Sequence, residues 1–201
     1  MTMSLWSEVR PEAARRLVVA AVESFAKVGF HATTTRDIAT AAGMSPAALY
    51  VHFPSKSALL FEISRTGHER TLAMVLDVAN GDGDPVTKMR ALVENFVTWH
   101  AREHVTARVV QYELTALPER EYLIIAGLRR RIEQAVRALV TAGSAAGVFE
   151  VPDERTAARA VLSLGVDVAR WYSERTRKTP RALGREYATL VLGMLGCTDS
   201  P

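Results

Sequence analysis

The sequence predicts an all-α protein of about nine helices, on three observations. Apolar residues recur at the three- and four-residue spacing of a single helix face from Ala14 to Met194. No stretch alternates apolar and polar residues as a half-buried strand would. Ser, Thr or Asp caps, prolines at first helical positions and glycine stops punctuate the chain at helix-length intervals.

The first helix is expected from Pro11 to Val28, where Ala14, Leu17, Val18, Ala21 and Phe25 share one face and Gly29 ends the run. The next segment, TTTRDIATAAGMSPAALYVHFPSKSALL from Thr33 to Leu60, is the most informative in the chain. Thr34 with Asp37 three residues on forms a capping box, each group accepting a backbone N–H of the other's end. Ile38, Ala39 and Ala42 supply the apolar face of a short helix, and Gly43 stops it. Ser45 caps a further short helix that Pro46 opens and that runs to about His52. Helix, glycine turn, helix is the helix-turn-helix pattern, whose second helix enters the DNA major groove.

Phe53-Pro54 breaks that helix, and Ser55 caps a long fourth one from Lys56 to about Ala79. The run NGDGD, residues 80–84, is the clearest loop. A fifth helix follows Pro85, with Val86, Met89, Leu92, Val93, Phe96 and Val97 on one face. His104 to Leu117 reads as the sixth, Glu119 to about Ala146 as the seventh, and a run capped by Asp153 to about Thr176 as the eighth. Pro180 opens the ninth, striped by Leu183, Tyr187, Leu190, Val191 and Met194.

Composition narrows the function classes. A hydrophobic share of 48% in 201 residues suffices for a packed helical core. The net charge of +3 excludes a tail-driven, histone-like binder, so any DNA affinity comes from a few placed groups. The single cysteine, Cys197, excludes an intramolecular disulfide and a Cys-cluster zinc site and reads as a small apolar filler. No secretory signal or membrane-length apolar run is legible, so a cytoplasmic location and no membrane partner are expected. Arg129-Arg130-Arg131 reads as a solvated helix face.

Leu49-Tyr50, His52-Phe53, Lys56 and Leu59-Leu60, after Thr33-Thr34 and Ile38-Ala39, closely resemble the TetR family of bacterial regulators across Pro11 to Ile63. The resemblance implies a three-helix DNA-binding domain, placed at residues 8–68, and an effector-binding and dimerisation domain, placed at 69–201. It implies a sequence-specific, ligand-responsive repressor gripping a palindromic double-stranded operator as a homodimer, with no enzymatic activity and no cofactor. Tyr50, His52 and Lys56 lie where the family touches phosphates. Thr34, Thr35 and Arg36 open the first motif helix near the backbone, and Arg36 can reach a guanine edge. Ser45, Pro46, Ala47 and Ala48 open the recognition helix. Many family members carry glycine and a polar residue there; Ala47 suits close approach or a thymine methyl, and Ala48 offers no hydrogen bond.

Phe96, Trp99, His100, Tyr112, Glu113 and Tyr122 combine aromatic bulk with sparse polar groups, the composition of a small-molecule pocket and also of an aromatic-rich core. Val168-Ala169-Arg170-Trp171-Tyr172, followed by Tyr187 and Leu190-Val191-Leu192, resembles the acyl-CoA-sensing branch of the family, adding Arg170 and Trp171 to the effector set. The implied effector is an acyl-CoA or another largely apolar compound. Arg170 can alternatively pair with Asp167, Glu174 or Glu186. The last two helices are apolar on more than one face, so Leu164, Val168, Leu190 and Met194 are expected at a dimer interface, which in the resembling family is a four-helix bundle.

Two rival readings exist. His100, Glu103 and His104 match the H-x-x-E-H pattern of a zinc hydrolase, although no metal is expected there because a helix start at His104 divides them. An architectural DNA binder without effector is the second rival.

Overall fold

The structure, a computed structural model, describes residues 5–197; the last four residues of the expected second domain lie outside the described ones. The described residues form nine α-helices and one short 3-10 turn, and no strand. The helices are α1 (Glu12–Val28), α2 (Thr35–Ala41), α3 (Pro46–His52), α4 (Lys56–Asn80), α5 (Pro85–Arg102), α6 (His104–Tyr112), α7 (Glu119–Ala145), α8 (Glu154–Trp171) and α9 (Pro180–Met194).

Two compact units result. One takes the chain through Glu69 together with Val105–Ala126, and the other takes Arg70–His104 with the chain from Gly127 onward. Helix α4 therefore leaves the first unit at Glu69. Most of α6 and the start of α7 belong with the N-terminal helices, which no local sequence signal announces.

In the first unit, α1 buries Leu17, Val18, Ala21 and Phe25, and α2 and α3 pack against it and each other. Ile38 and Ala39 of α2 and Leu49 of α3 complete this small core. The fold of the motif follows from its caps. The Asp37 amide donates to Thr34 Oγ1 at 3.1 Å and the Thr34 amide donates to Asp37 Oδ2 at 3.0 Å, the capping box read from the sequence. Gly43 has φ +66°, a left-handed conformation in which a Cβ is strained. The Ala48 amide donates to Ser45 Oγ at 3.2 Å and starts α3.

In the second unit α5 is the central helix, packed on α9 and α8. Met89, Leu92, Val93, Phe96 and Val97 join Val136 and Val140 of α7, Val161 and Val168 of α8, and Val191 and Leu192 of α9 in one core. A Cβ on Gly165 would lie 2.4 Å from the Phe96 ring, so α5 and α8 approach this closely only because glycine stands there.

Two helices are shorter than expected. The sixth ends at Tyr112, and Leu114–Ala116 tightens into the 3-10 turn before Pro118. The eighth ends at Trp171: Tyr172 is extended, and the Ser173 amide turns to Thr176 Oγ1 at 3.1 Å.

Candidate nucleic-acid interface

The expected DNA-contacting residues gather on the outer side of α2 and α3. Thr34, Arg36, Ser45, Pro46, Ala47 and Tyr50 are exposed, while Thr35, Ala48 and His52 are half-buried. Thr35 Oγ1 and Tyr50 Oη lie 3.2 Å apart, which ties the start of α2 to the outer face of α3. Leu49 and Phe53 are buried, so Tyr50 faces out as its neighbours require. The Thr34 side-chain hydrogen bond, with help from its amide and from Arg36, holds the Asp37 carboxyl below the usual carboxylate range.

Lys56 corrects an expectation. Its ammonium is not directed outward as a phosphate donor but donates to the carbonyls of Phe30 at 2.6 Å and Thr33 at 2.7 Å, with His31 at 3.4 Å. The charge also lies 4.2 Å from the centre of the Phe30 ring. These carbonyls belong to buried residues between α1 and α2, and at this half-buried position they take the ammonium's donors in place of water, so Lys56 braces the α1–α2 joint.

Two residues of this region escaped the sequence reading. Arg16 donates from Nη2 to the Ala42 carbonyl and so pins the turn of the motif to α1, across 26 positions that no short-range pattern spans. Val51 is 79% exposed, the most exposed large apolar residue of the described chain.

The expected effector residues divide between the two units. Tyr112, Glu113 and Tyr122 belong to the first, and Phe96, Trp99, His100, Arg170 and Trp171 to the second. Glu113 Oε1 accepts the Phe30 amide at 3.2 Å, so its carboxylate is engaged by the DNA-binding unit. Phe96 is buried against Gly165, with its ring centre 4.2 Å from that of His100, and is a core residue. Arg170 takes the ion-pair alternative: its Nε lies 2.6 Å from Asp167 Oδ1, and this pair lowers the Asp167 pKa. Trp99 is half-buried and Trp171 is 40% exposed.

The dimer expectation needs one correction. Leu164, Leu190 and Met194 are exposed, but Val168 is fully buried in the core of its own protomer. It sits on the α8 face shared with Val161 and Gly165, which points to α5. The geometry does not favour the hydrolase reading. Helix α5 ends at Arg102 with Glu103 as its cap, and His100 and His104 each turn Nδ1 to a backbone carbonyl, of Phe96 and Ala101. Among the described residues no three His, Cys, Asp or Glu side chains converge as a metal site, and no helix is long and apolar enough to cross a membrane.

Residues 17–63 match the model of bacterial regulatory proteins of the tetR family, and residues 82–195 match the tetracyclin repressor-like C-terminal domain. The chain belongs to the TetR family. The HTH-type transcriptional repressor KstR2 of Mycobacterium tuberculosis is 28% identical over 183 residues, 88% of this chain and 90% of the relative. A solved tetR-family regulatory protein from Rhodococcus RHA1 is 41% identical with a TM-score of 0.89, covering 94% of this chain and all of the other. AibR, solved with isovaleryl coenzyme A and operator DNA, shares the fold at 22% identity and a TM-score of 0.79, over 91% of this chain and 97% of its own. KstR2 is a transcriptional repressor and the Rhodococcus protein a bacterial regulatory protein, and this TetR-family chain is a DNA-binding transcriptional regulator.

Proposed function

We propose that this TetR-family protein is a cytoplasmic homodimeric repressor that releases a near-palindromic operator when a largely apolar effector binds its second unit. The observation that carries the DNA reading is the exposed outer face of α3, with Tyr50 tied to Thr35 at its edge. Tyr50, Thr35, His52 and Arg36 supply donors toward phosphate, and α3 supplies the reading surface. The exposure of Leu164 on α8 and of Leu190 and Met194 on α9 supports a twofold pairing that matches a twofold operator.

The effector reading rests on the partial exposure of Trp99 and Trp171 in the second unit, with Arg170 next to Trp171 in the chain, and on the acyl-CoA ligand of the AibR fold neighbour. An acyl thioester suits an apolar surface with a cation at its edge, provided that Arg170 exchanges Asp167 for a phosphate. The effector acts only through its affinity difference between the two states, and a hundredfold release of DNA needs about 2.7 kcal/mol of coupling.

Fluorescence anisotropy with the DNA upstream of its own gene tests both parts. Tyr50→Phe is expected to weaken binding about fivefold, the loss of one hydrogen bond of about 1 kcal/mol. Acyl-CoA esters are expected to release the complex, and Arg170→Met to abolish that release. If only uncharged compounds release DNA, the thioester assignment is wrong; if Tyr50→Phe binds as the parent does, the docking face is wrong.

A further inference from the structure

The sequence singled out Ala48 as a position without a hydrogen bond for a base, and the structure extends that deficit to the whole outer line of α3. At about 100° per residue, Ala47 and Val51 lie on the side opposite Leu49, which is fully buried. Val51 is 79% exposed and Ala47 is exposed. Pro46 and Tyr50 flank this line on one side and Ala48 on the other. The crest of the recognition helix is therefore aliphatic, and no Arg, Lys, Asn or Gln stands anywhere on α3 to form a bidentate contact with a purine.

A large aliphatic side chain left in water on a seven-residue helix contributes nothing to the protomer's core. Its flanks identify the occupant. Tyr50 flanks it, exposed and with its hydroxyl 3.2 Å from that of Thr35, and Arg36 is exposed at the start of the preceding helix. A narrow apolar ridge edged by phosphate donors fits a major groove, whose only apolar group is the C5-methyl of thymine.

We infer that Val51 and Ala47 are specificity-determining residues that read thymine methyl groups in each operator half-site. This rests on the proposed repressor function and adds the chemistry of its readout. Sequence preference then comes from packing methyl against methyl, and the required bases are T·A pairs at the steps facing the crest. A methyl buried in this way is worth about 0.8 kcal/mol, or roughly a fourfold change in affinity, for each half-site.

The experiment starts with selection of bound duplexes from a random pool by the full-length protein. The winning site is then resynthesised with deoxyuridine replacing thymine, one position at a time, which removes the methyl and nothing else. At one or two fixed positions per half-site, binding is expected to fall about fourfold, and about sixteenfold when both half-sites are changed. Val51→Ala, at an exposed position that leaves folding intact, is expected to bind more weakly and to lose most of its sensitivity to deoxyuridine. An enriched site whose thymines all tolerate deoxyuridine within experimental error overturns the inference and leaves the repressor function standing. A pool with no enriched sequence removes both, because sequence-specific binding itself is then absent.

Discussion

The recognition helix and the last two helices both leave aliphatic side chains in water, yet their surroundings differ. On α3 the apolar line is narrow, Ala47 and Val51, and Tyr50, Thr35 and Arg36 edge it with donors. On α8 and α9 Leu164, Leu190 and Met194 are exposed, and the charges one turn from them are paired, Asp167 with Arg170 and Glu186 with Lys178. A ridge with donors at its edges suits a groove walled by phosphates. A stripe whose charges are already paired suits a second protein surface, because few unpaired charges need to be desolvated on contact. Exposure of apolar atoms alone does not distinguish these uses; the neighbouring polar groups do.

The largest expected effect breaks the second surface. Leu190 is 65% exposed in the protomer, so Leu190→Asp leaves the fold of each chain intact. In a dimer interface the same change buries an unpaired carboxylate. Sedimentation at micromolar concentration is expected to show the mass of one chain, and operator affinity is expected to fall about a hundredfold, roughly 2.7 kcal/mol. A parent protein that sediments as a single chain at that concentration refutes the dimer.

A second change sharpens the comparison within the DNA-binding unit by separating groups that face DNA from groups that brace the face. Lys56→Ala removes a cation from the carbonyls of Phe30 and Thr33. Bonds made by a charged donor are worth about 2 kcal/mol, so a lowered Tm is expected together with weaker operator binding. The slope of affinity against salt is expected to stay near that of the parent. A Lys56 that contacts phosphate would instead lower the slope by about one unit and leave Tm unchanged.

What the sequence made legible follows from range. The Thr34–Asp37 box, the Gly43 stop and the Ser45–Pro46 start are each local, and each formed as expected. Arg16 reaches Ala42 and Lys56 reaches Phe30 across 26 positions each, and Glu113 reaches Phe30 across 83; only the packed fold brings such pairs together. Periodicity marked Val168 as apolar but could not tell an inward face from an outward one on a helix apolar on both. The aromatic residues expected to form one effector pocket fell into two units for the same reason: composition carries no information about which helices become neighbours. The crest of α3 was half legible, since Ala47 and Ala48 stood out as departures, while nothing in the sequence marked Val51.

The smallest expected effect concerns Glu103, within the H-x-x-E-H pattern. Burial at the end of α5 raises its pKa above the ordinary glutamate value, against the opposing pull of Arg102 and His104. A carboxyl whose pKa is higher when folded binds more protons in the native state than in the unfolded one. Its contribution is therefore most favourable in acid, and it is lost as pH rises through the ordinary glutamate range up to the raised value. At neutral pH the ionised, half-buried Glu103 opposes folding, so Glu103→Gln is expected to raise Tm slightly. The gain is expected to shrink as the pH is lowered through that range, where the parent carboxyl is protonated and resembles the amide. Melting curves of both proteins across this interval give the sign. A loss of stability at neutral pH on Glu103→Gln, or a gain that grows in acid, would show that the carboxylate has a partner in the folded protein and is not merely desolvated.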